Sequence, residues 1–331
     1  MLVLFIYACK LSLNIGAVAT IGDSVAGGCG ARGIVYNPVA NIKNYDHNRG
    51  VSAITGADND ALSLYTIAAR HSNGTLEGAS FGTRLNNFCR GAICVWPINR
   101  FEKDDGLNMA QSGAFASNAM RQAVELVKRI LAKVKQNPGL QTQWKLVNLW
   151  LGLNDQCEHC VRDDSRPMRY RYYLEKVLEY LRKSLNFVIV NLISLWNVKE
   201  VLDLGKTSAY CQRRNIGFRV VCRCANNDIR SYQIAQNQAL EDISLSYRGQ
   251  NMADFKVLYD PSSSGTNITA LNLSALTKTD CMHPSKAAHG QLASLFWYNL
   301  FQNSKKKLRD QYSAFNSSSL EVECPNTIKF D

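Results

Sequence analysis

The sequence predicts an α/β fold: a parallel sheet covered on both faces by helices. Apolar runs of strand length alternate with segments of helical periodicity along the chain. A β-α-β-α order of this kind builds sheets buried on both sides. Composition agrees, since 46% hydrophobic and 20% charged residues over 331 positions suit a globular chain with a full core and not a disordered or fibrous one.

The first strand is the apolar run Ile15 to Ile21, ending at Gly22. Ala116 to Lys135 places Met120, Ala123, Val124, Val127, Ile130, Leu131 and Val134 on one helical face, and Asn137-Pro138-Gly139 stops it. Trp144 to Leu151 is the next strand, followed by a helix over Arg169 to Leu185 and a buried strand over Asn186 to Ile193. Asp228 to Tyr247 is helical and Phe255 to Tyr259 a strand. Pro284 to Gln302 is the closing helix, with Pro in its first turn. One domain over 13–303 results. The loop-rich, cysteine-bearing segments 36–115 and 203–227 are read as insertions, and 304–331 as a polar tail. No internal repeat or low-complexity tract interrupts it.

Residues 1–12 have two readings. The apolar run Leu2 to Ala8 has the character of a signal-peptide core without a basic flank, or it is an extra strand at an incomplete N-terminus. No apolar run approaches the roughly 18–20 residues needed to span a bilayer, so a soluble mature protein is expected.

Eleven cysteines, several in close pairs, predict disulfides in an oxidising compartment and hence a secreted protein. Sequons at Asn73, Asn267, Asn272 and Asn316 point the same way. Setting aside Cys9, which a leader would remove, leaves an even ten. The competing reading is a zinc site built from Cys157, Cys160, Cys222 and Cys224, although the single residue between the last two is atypical for zinc. The net charge of +11 suits anionic surfaces, so peripheral contact with an anionic lipid surface is one reading. The basic residues are dispersed among acidic ones and no nucleic-acid motif is present, so a solvated surface is the expected reading and nucleic acid is excluded as a partner.

Ser24 follows the first strand within Gly22-Asp23-Ser24-Val25-Ala26-Gly27-Gly28. A serine hydroxyl becomes a nucleophile when a base takes its proton and donors receive the oxyanion. A strand-to-helix turn flanked by glycines offers exposed N–H groups for that purpose; the competing reading is a helix cap. Asp280-Cys281-Met282-His283-Pro284 sets an acid three residues before a histidine, a spacing at which the carboxylate orients the imidazole and leaves its other nitrogen to act as base. His289 lies well inside the closing helix and reads as packing, and His47, His71 and His159 have no acid at this spacing. Gly113, ahead of the 116–135 helix, and Asn154, after the strand ending at Gly152, are candidate oxyanion donors; each is also a routine turn residue. Gly78-Ala79-Ser80-Phe81-Gly82 matches a nucleophile elbow, but the polar stretch before it is no buried strand, so Ser80 is set aside.

In this order the motifs, spanning residues 22 to 283, resemble the GDSL (SGNH) hydrolases. The resemblance implies a flavodoxin-like three-layer α/β/α sandwich with Ser24 as nucleophile, His283 as general base and Asp280 orienting it. It also implies an oxyanion hole from the Ser24 N–H, Gly113 and Asn154, with no cofactor or metal. Val25 stands where the family name expects Leu, at a packing position. The segments Asn48-Arg49-Gly50-Val51-Ser52, Asn154 to Cys160, Tyr210-Cys211 with Cys222-Arg223-Cys224, and Asp280 to His283 are similar to the phospholipase B branch. That similarity implies hydrolysis of fatty-acyl esters of phospholipids or lysophospholipids. The alternatives are an esterase for short-chain or acetylated carbohydrate esters, and a secreted lipid- or glycan-binding protein without turnover.

Overall fold

The computed structural model describes residues 14–33, 46–72, 74–85, 89–90, 100–214, 222–225, 227–307 and 309. Four strands, β1 (Ile15–Gly22), β2 (Trp144–Trp150), β3 (Val188–Ile193) and β4 (Phe255–Asp260), form one parallel sheet in the order β1-β2-β3-β4. Every residue of β1 and β3 is buried, as expected of parallel strands covered on both faces. The α-helices among the described residues are α1 (Leu64–His71), α2 (Ala119–Gln136), α3 (Leu153–Glu158), α4 (Pro167–Ser184), α5 (Val198–Gly205), α6 (Ala209–Arg214), α7 (Ile229–Gly249) and α8 (Lys286–Leu300). Helices α2, α4 and α7 pack in series on one side of the sheet, and α1 packs with α8 on the other. This is the three-layer α/β/α sandwich.

The polar residues inside the sheet answer one another. Asn148 of β2 faces Thr20 of β1 and Asn191 of β3 in register. The Asn191 amide donates to Asn148 Oδ1 (3.1 Å), and the Asn148 amide donates to the Ala19 carbonyl (3.2 Å). Burial of the two asparagine amides is tolerated because each is hydrogen-bonded.

The outer edge of β1 is covered by segments with no strand-like pattern of their own. The Val18 N–H donates to Glu77 O (2.9 Å) and the Glu77 N–H to Gly16 O (2.9 Å). Further along, the Met109 N–H donates to Thr20 O (2.9 Å) and the Gln111 N–H to Gly22 O (3.1 Å). An exposed sheet edge is thereby closed. The 36–115 segment also contributes Ile54, Leu64 and Ile67 to the core.

Several element boundaries differ from expectation for local reasons. The closing helix starts at Lys286 with Ser285 as its cap, so Pro284 lies ahead of the first turn instead of in it. Strand β3 starts at Val188 because Phe187 takes a left-handed conformation (φ 54°). Ala116–Asn118 forms a 3-10 turn before α2. Helices α1, α5 and α6 fall in or beside stretches read as loops.

Cys157–Cys222, Cys160–Cys224 and Cys211–Cys281 are disulfides, so the four cysteines of the zinc reading are two crosslinks instead. Cys29 is buried in the turn after Ser24, where its N–H donates to Ser24 O (2.9 Å). The Cys160–Cys224 bond closes a loop 64 residues long. Replacing both cysteines by Ser is expected to lower stability by about 2–5 kcal/mol, measured in denaturant unfolding of the oxidised protein. No helix among the described residues is long and apolar enough to cross a membrane. The readings for residues 1–12, the sequons at Asn73 and Asn316 and most of the 304–331 tail lie outside the described residues.

Candidate active site

Ser24 sits in the turn that leaves the carboxyl end of β1, where ligands meet parallel sheets. The strand end is clamped by Gln122 of α2, whose side chain accepts from the Gly22 N–H (2.8 Å) and donates to the Gly22 carbonyl (2.9 Å). Asp23 turns inward and its Oδ1 accepts from the Val25 N–H (3.0 Å). The Gly27 and Cys29 N–H groups then close the turn onto Asp23 O and Ser24 O. Ser24, between two buried neighbours, keeps partial exposure.

The second element is the loop ahead of α8. The Thr277 N–H donates to His283 O (2.8 Å) and the Cys281 N–H to Thr277 O (2.9 Å), while the disulfide to Cys211 ties Cys281 to α6. Within this loop Asp280 Oδ1 accepts from the Met282 and His283 N–H groups (2.9 and 3.1 Å). Asp280 Oδ2 lies 2.6 Å from His283 Nδ1, and His283 Nε2 lies 2.7 Å from Ser24 Oγ. An ionised carboxylate accepts only, so the Nδ1 proton belongs to this bond and Nε2 is left to accept from the serine hydroxyl.

Burial opposes charge on both partners, yet the pair outweighs it. Burial lowers the pKa of His283, but the charge and hydrogen bond of Asp280, with a contribution from Asp23, hold it above 6.5. Burial likewise raises Asp280, and His283 with the two backbone N–H groups brings it below the usual carboxylate value. Asp23 is pushed up to about 6 by burial, against the pull of the Val25 N–H and of His283.

Asn154 lies in the first turn of α3 rather than in an open turn after β2. One of its amide hydrogens donates to Ala114 O (3.1 Å), and Arg90 donates to its Oδ1 (3.3 Å). These contacts fix the amide orientation and leave a second N–H. Next to it the Asp155 carboxylate accepts from the Ala116 N–H (3.1 Å), bolting α3 to the segment that carries Gly113. Gly113 has φ 74°, a conformation that favours glycine, two residues past the point where Gln111 bonds the end of β1. Ser24, Asn154 and His283 line one small cavity of about 30 Å³, walled on its apolar side by Leu153, Trp196 and Met282.

The remaining serine and histidines named by the sequence lie elsewhere. Ser80 is fully buried and donates to Asp105 O (2.6 Å). His289 is buried against α1's neighbourhood with Nδ1 accepting from the Ala53 N–H (3.2 Å), and burial holds its pKa down to about 3. His159 stacks on Tyr232, and His71 on Trp297. His47 is the exception that sequence reasoning passed over. It has no acid at the expected spacing, but it is buried at the site with Nε2 2.7 Å from Ser112 Oγ, beside the buried Arg49. Only the pair of a histidine and an arginine two residues apart marked this in the sequence. Among the described residues no group of His, Cys, Asp and Glu could hold a metal ion.

The sandwich joins a serine, a histidine and an aspartate at the carboxyl edge of its sheet, an arrangement suited to a hydrolase with a serine nucleophile. Residues 18–296 match the family model for GDSL-like Lipase/Acylhydrolase, and the chain belongs to that family. Among curated proteins it is 26% identical over 328 residues to "Phospholipase B1, membrane-associated" of Rattus norvegicus, an alignment covering 94% of this chain and 21% of the relative. The proteins of the same name from Mus musculus (25% over 329 residues; 94% and 20%) and Homo sapiens (26% over 332 residues; 95% and 20%) are similar. The chain thus spans about a fifth of the length of the curated relatives it matches.

Proposed function

We propose that this chain is a serine esterase that hydrolyses fatty-acyl esters of phospholipids or lysophospholipids through an acyl-Ser24 intermediate. The observation carrying the proposal is the unbroken Asp280–His283–Ser24 hydrogen-bond chain. His283 Nε2 takes the Ser24 proton as Oγ attacks the ester carbonyl, and the tetrahedral oxyanion is received by the Ser24 N–H, the Gly113 N–H and the second amide N–H of Asn154. His283 then gives the proton to the leaving alcohol oxygen as the C–O bond breaks, leaving acyl-Ser24. Water, deprotonated by the same nitrogen, attacks the acyl carbon and restores the serine.

The lipid substrate is supported by the similarity to the phospholipase B1 proteins. Secretion belongs with it, supported by the disulfides, which persist in oxidising compartments. The cavity size favours a second reading. The cavity's small size, about 30 Å³, suits an acetyl or other short acyl group better than an enclosed fatty chain. In the lipid reading the chain of the acyl group lies outside this cavity.

Two measurements decide between them. Turnover of lysophosphatidylcholine exceeding that of acetyl esters is the expected result of acyl-length profiling, and a preference for acetyl esters would overturn the phospholipase reading. A fluorophosphonate probe is expected to label Ser24. An unlabelled Ser24 in folded protein would instead mark a binding protein without turnover.

A further inference from the structure

Behind the serine turn lies a fully buried polar network that the ester chemistry above does not use. Its centre is Arg49, a guanidinium with no solvent exposure. Arg49 Nη1 donates to Asn108 O (2.5 Å) and Asn108 Oδ1 (2.7 Å), and Nη2 donates to Ala110 O (2.6 Å). Its Nε lies 3.0 Å from the buried carboxylate of Asp105, which supplies the opposing charge. One side chain therefore grips both carbonyls of the segment that runs past β1 towards Gly113. Burying a charged group is costly unless it is paired and hydrogen-bonded; Arg49 has an ion pair at Nε and hydrogen bonds at both Nη atoms, which hold its neighbours in one arrangement.

The network continues to both halves of the site. Arg49 Nη2 approaches His47 Nδ1 at 3.2 Å, and since guanidinium only donates, the ring proton sits on Nε2 and is directed at Ser112 Oγ (2.7 Å). Burial and the Arg49 charge keep this ring neutral, its pKa far below 6.5. Ser112 immediately precedes Gly113. On the other side the ring lies against the serine turn, where a Cβ on Gly27 would come within 2.9 Å of it. The Asn108 amide, itself held by Arg49, donates to Ala26 O in the same turn (3.1 Å). The nucleophile turn and the 108–113 segment are far apart in sequence, and Arg49 with His47 is bonded or packed to both.

The geometry points to Arg49, acting through His47 and Ser112, as the positioning residue that sets the Gly113 N–H relative to Ser24 Oγ. This rests on the esterase reading above. Arg49 touches no reacting atom. Its effect is on where the oxyanion donor stands when the tetrahedral intermediate forms, and displacements of about 1 Å at such a donor cost up to about 100-fold in rate.

The test compares Ser112→Ala, which cuts the His47 link together with the Ser112 hydrogen bond to the buried Cys29, with Arg49→Lys, which keeps a positive charge beside Asp105 but loses the planar fork. Steady-state turnover of a phenyl ester is read together with inhibition by an alkyl boronic acid, whose serine adduct places an oxygen in the oxyanion hole. For Ser112→Ala, kcat is expected to fall about 10- to 100-fold with KM within about twofold, and boronate affinity to fall alongside kcat. Arg49→Lys, if it folds, is expected to lose at least as much. Ser112→Ala with wild-type kcat and boronate affinity, whatever its melting temperature, would overturn the positioning role and leave a purely structural one. A wild-type protein that neither turns over esters nor labels at Ser24 would overturn the esterase reading itself, and this inference with it.

Discussion

Ser24→Ala is expected to reduce ester hydrolysis by about 10⁴- to 10⁶-fold in kcat while leaving the fold intact. In the proposed mechanism Oγ is the atom that forms the acyl bond, and among the described residues no other hydroxyl bonds His283 Nε2. Ser80 is buried against Asp105 O, and Ser112 is engaged by His47. The structural cost is small. Ser24 is partly exposed, its turn is closed by backbone bonds through Asp23, Val25, Gly27 and Cys29, and only the bond to His283 is lost. Melting temperature is therefore expected to stay within a few degrees of wild type, and fluorophosphonate labelling to vanish. Full activity in a folded Ser24→Ala protein would end the acyl-serine assignment.

The second large effect belongs to the base. His283→Ala is expected to lower kcat by about 10⁴-fold, since serine then has no acceptor for its proton at 2.7 Å. Asp280→Asn should lose a comparable factor for a different reason: the amide can present a donor to Nδ1 and so favour the wrong tautomer. The pH profile separates the two partners. The proposed mechanism uses neutral His283 as base, so kcat/KM in the wild type should rise with pH through a midpoint above 6.5, the direction in which Asp280 moves the imidazole. In Asp280→Asn that charge is gone and burial, which lowers the histidine pKa, is less opposed. Its residual activity should therefore show a midpoint at lower pH. An unshifted or raised midpoint would contradict Asp280 as the partner that sets the base. His289→Ala, by contrast, should leave the shape of the profile unchanged, because His289 bonds the Ala53 N–H and not the serine; its cost is stability.

Much of this was legible in local patterns. Strands β1 to β4 were marked by short apolar runs, and α2, α4, α7 and α8 by helical periodicity or caps, because burial on one face imposes a repeat on neighbouring residues. Asp280 and His283 could be read as a unit since three residues of loop suffice to bring a carboxylate onto a ring nitrogen. The boundaries went astray where a single residue decided them, as at Phe187 with its left-handed backbone and at Ser285 capping α8.

By itself the sequence determined the fold class, the strand order along the chain and a set of chemically apt residues in family order, ending in membership of the GDSL-like hydrolases. The tertiary structure decided what those residues touch. Ser24 and His283 meet across 259 positions of chain. The cysteines once open to a zinc reading pair as two crosslinks between 157–160 and 222–224. Polar segments around Glu77 and Asn108 close the edge of β1, and Arg49 joins residues about 60 positions away into one buried network. The reason is physical: periodicity records how a residue faces its own element, whereas hydrogen bonds between distant loops arise only once the sheet has brought their ends together, and they leave no repeat in the sequence.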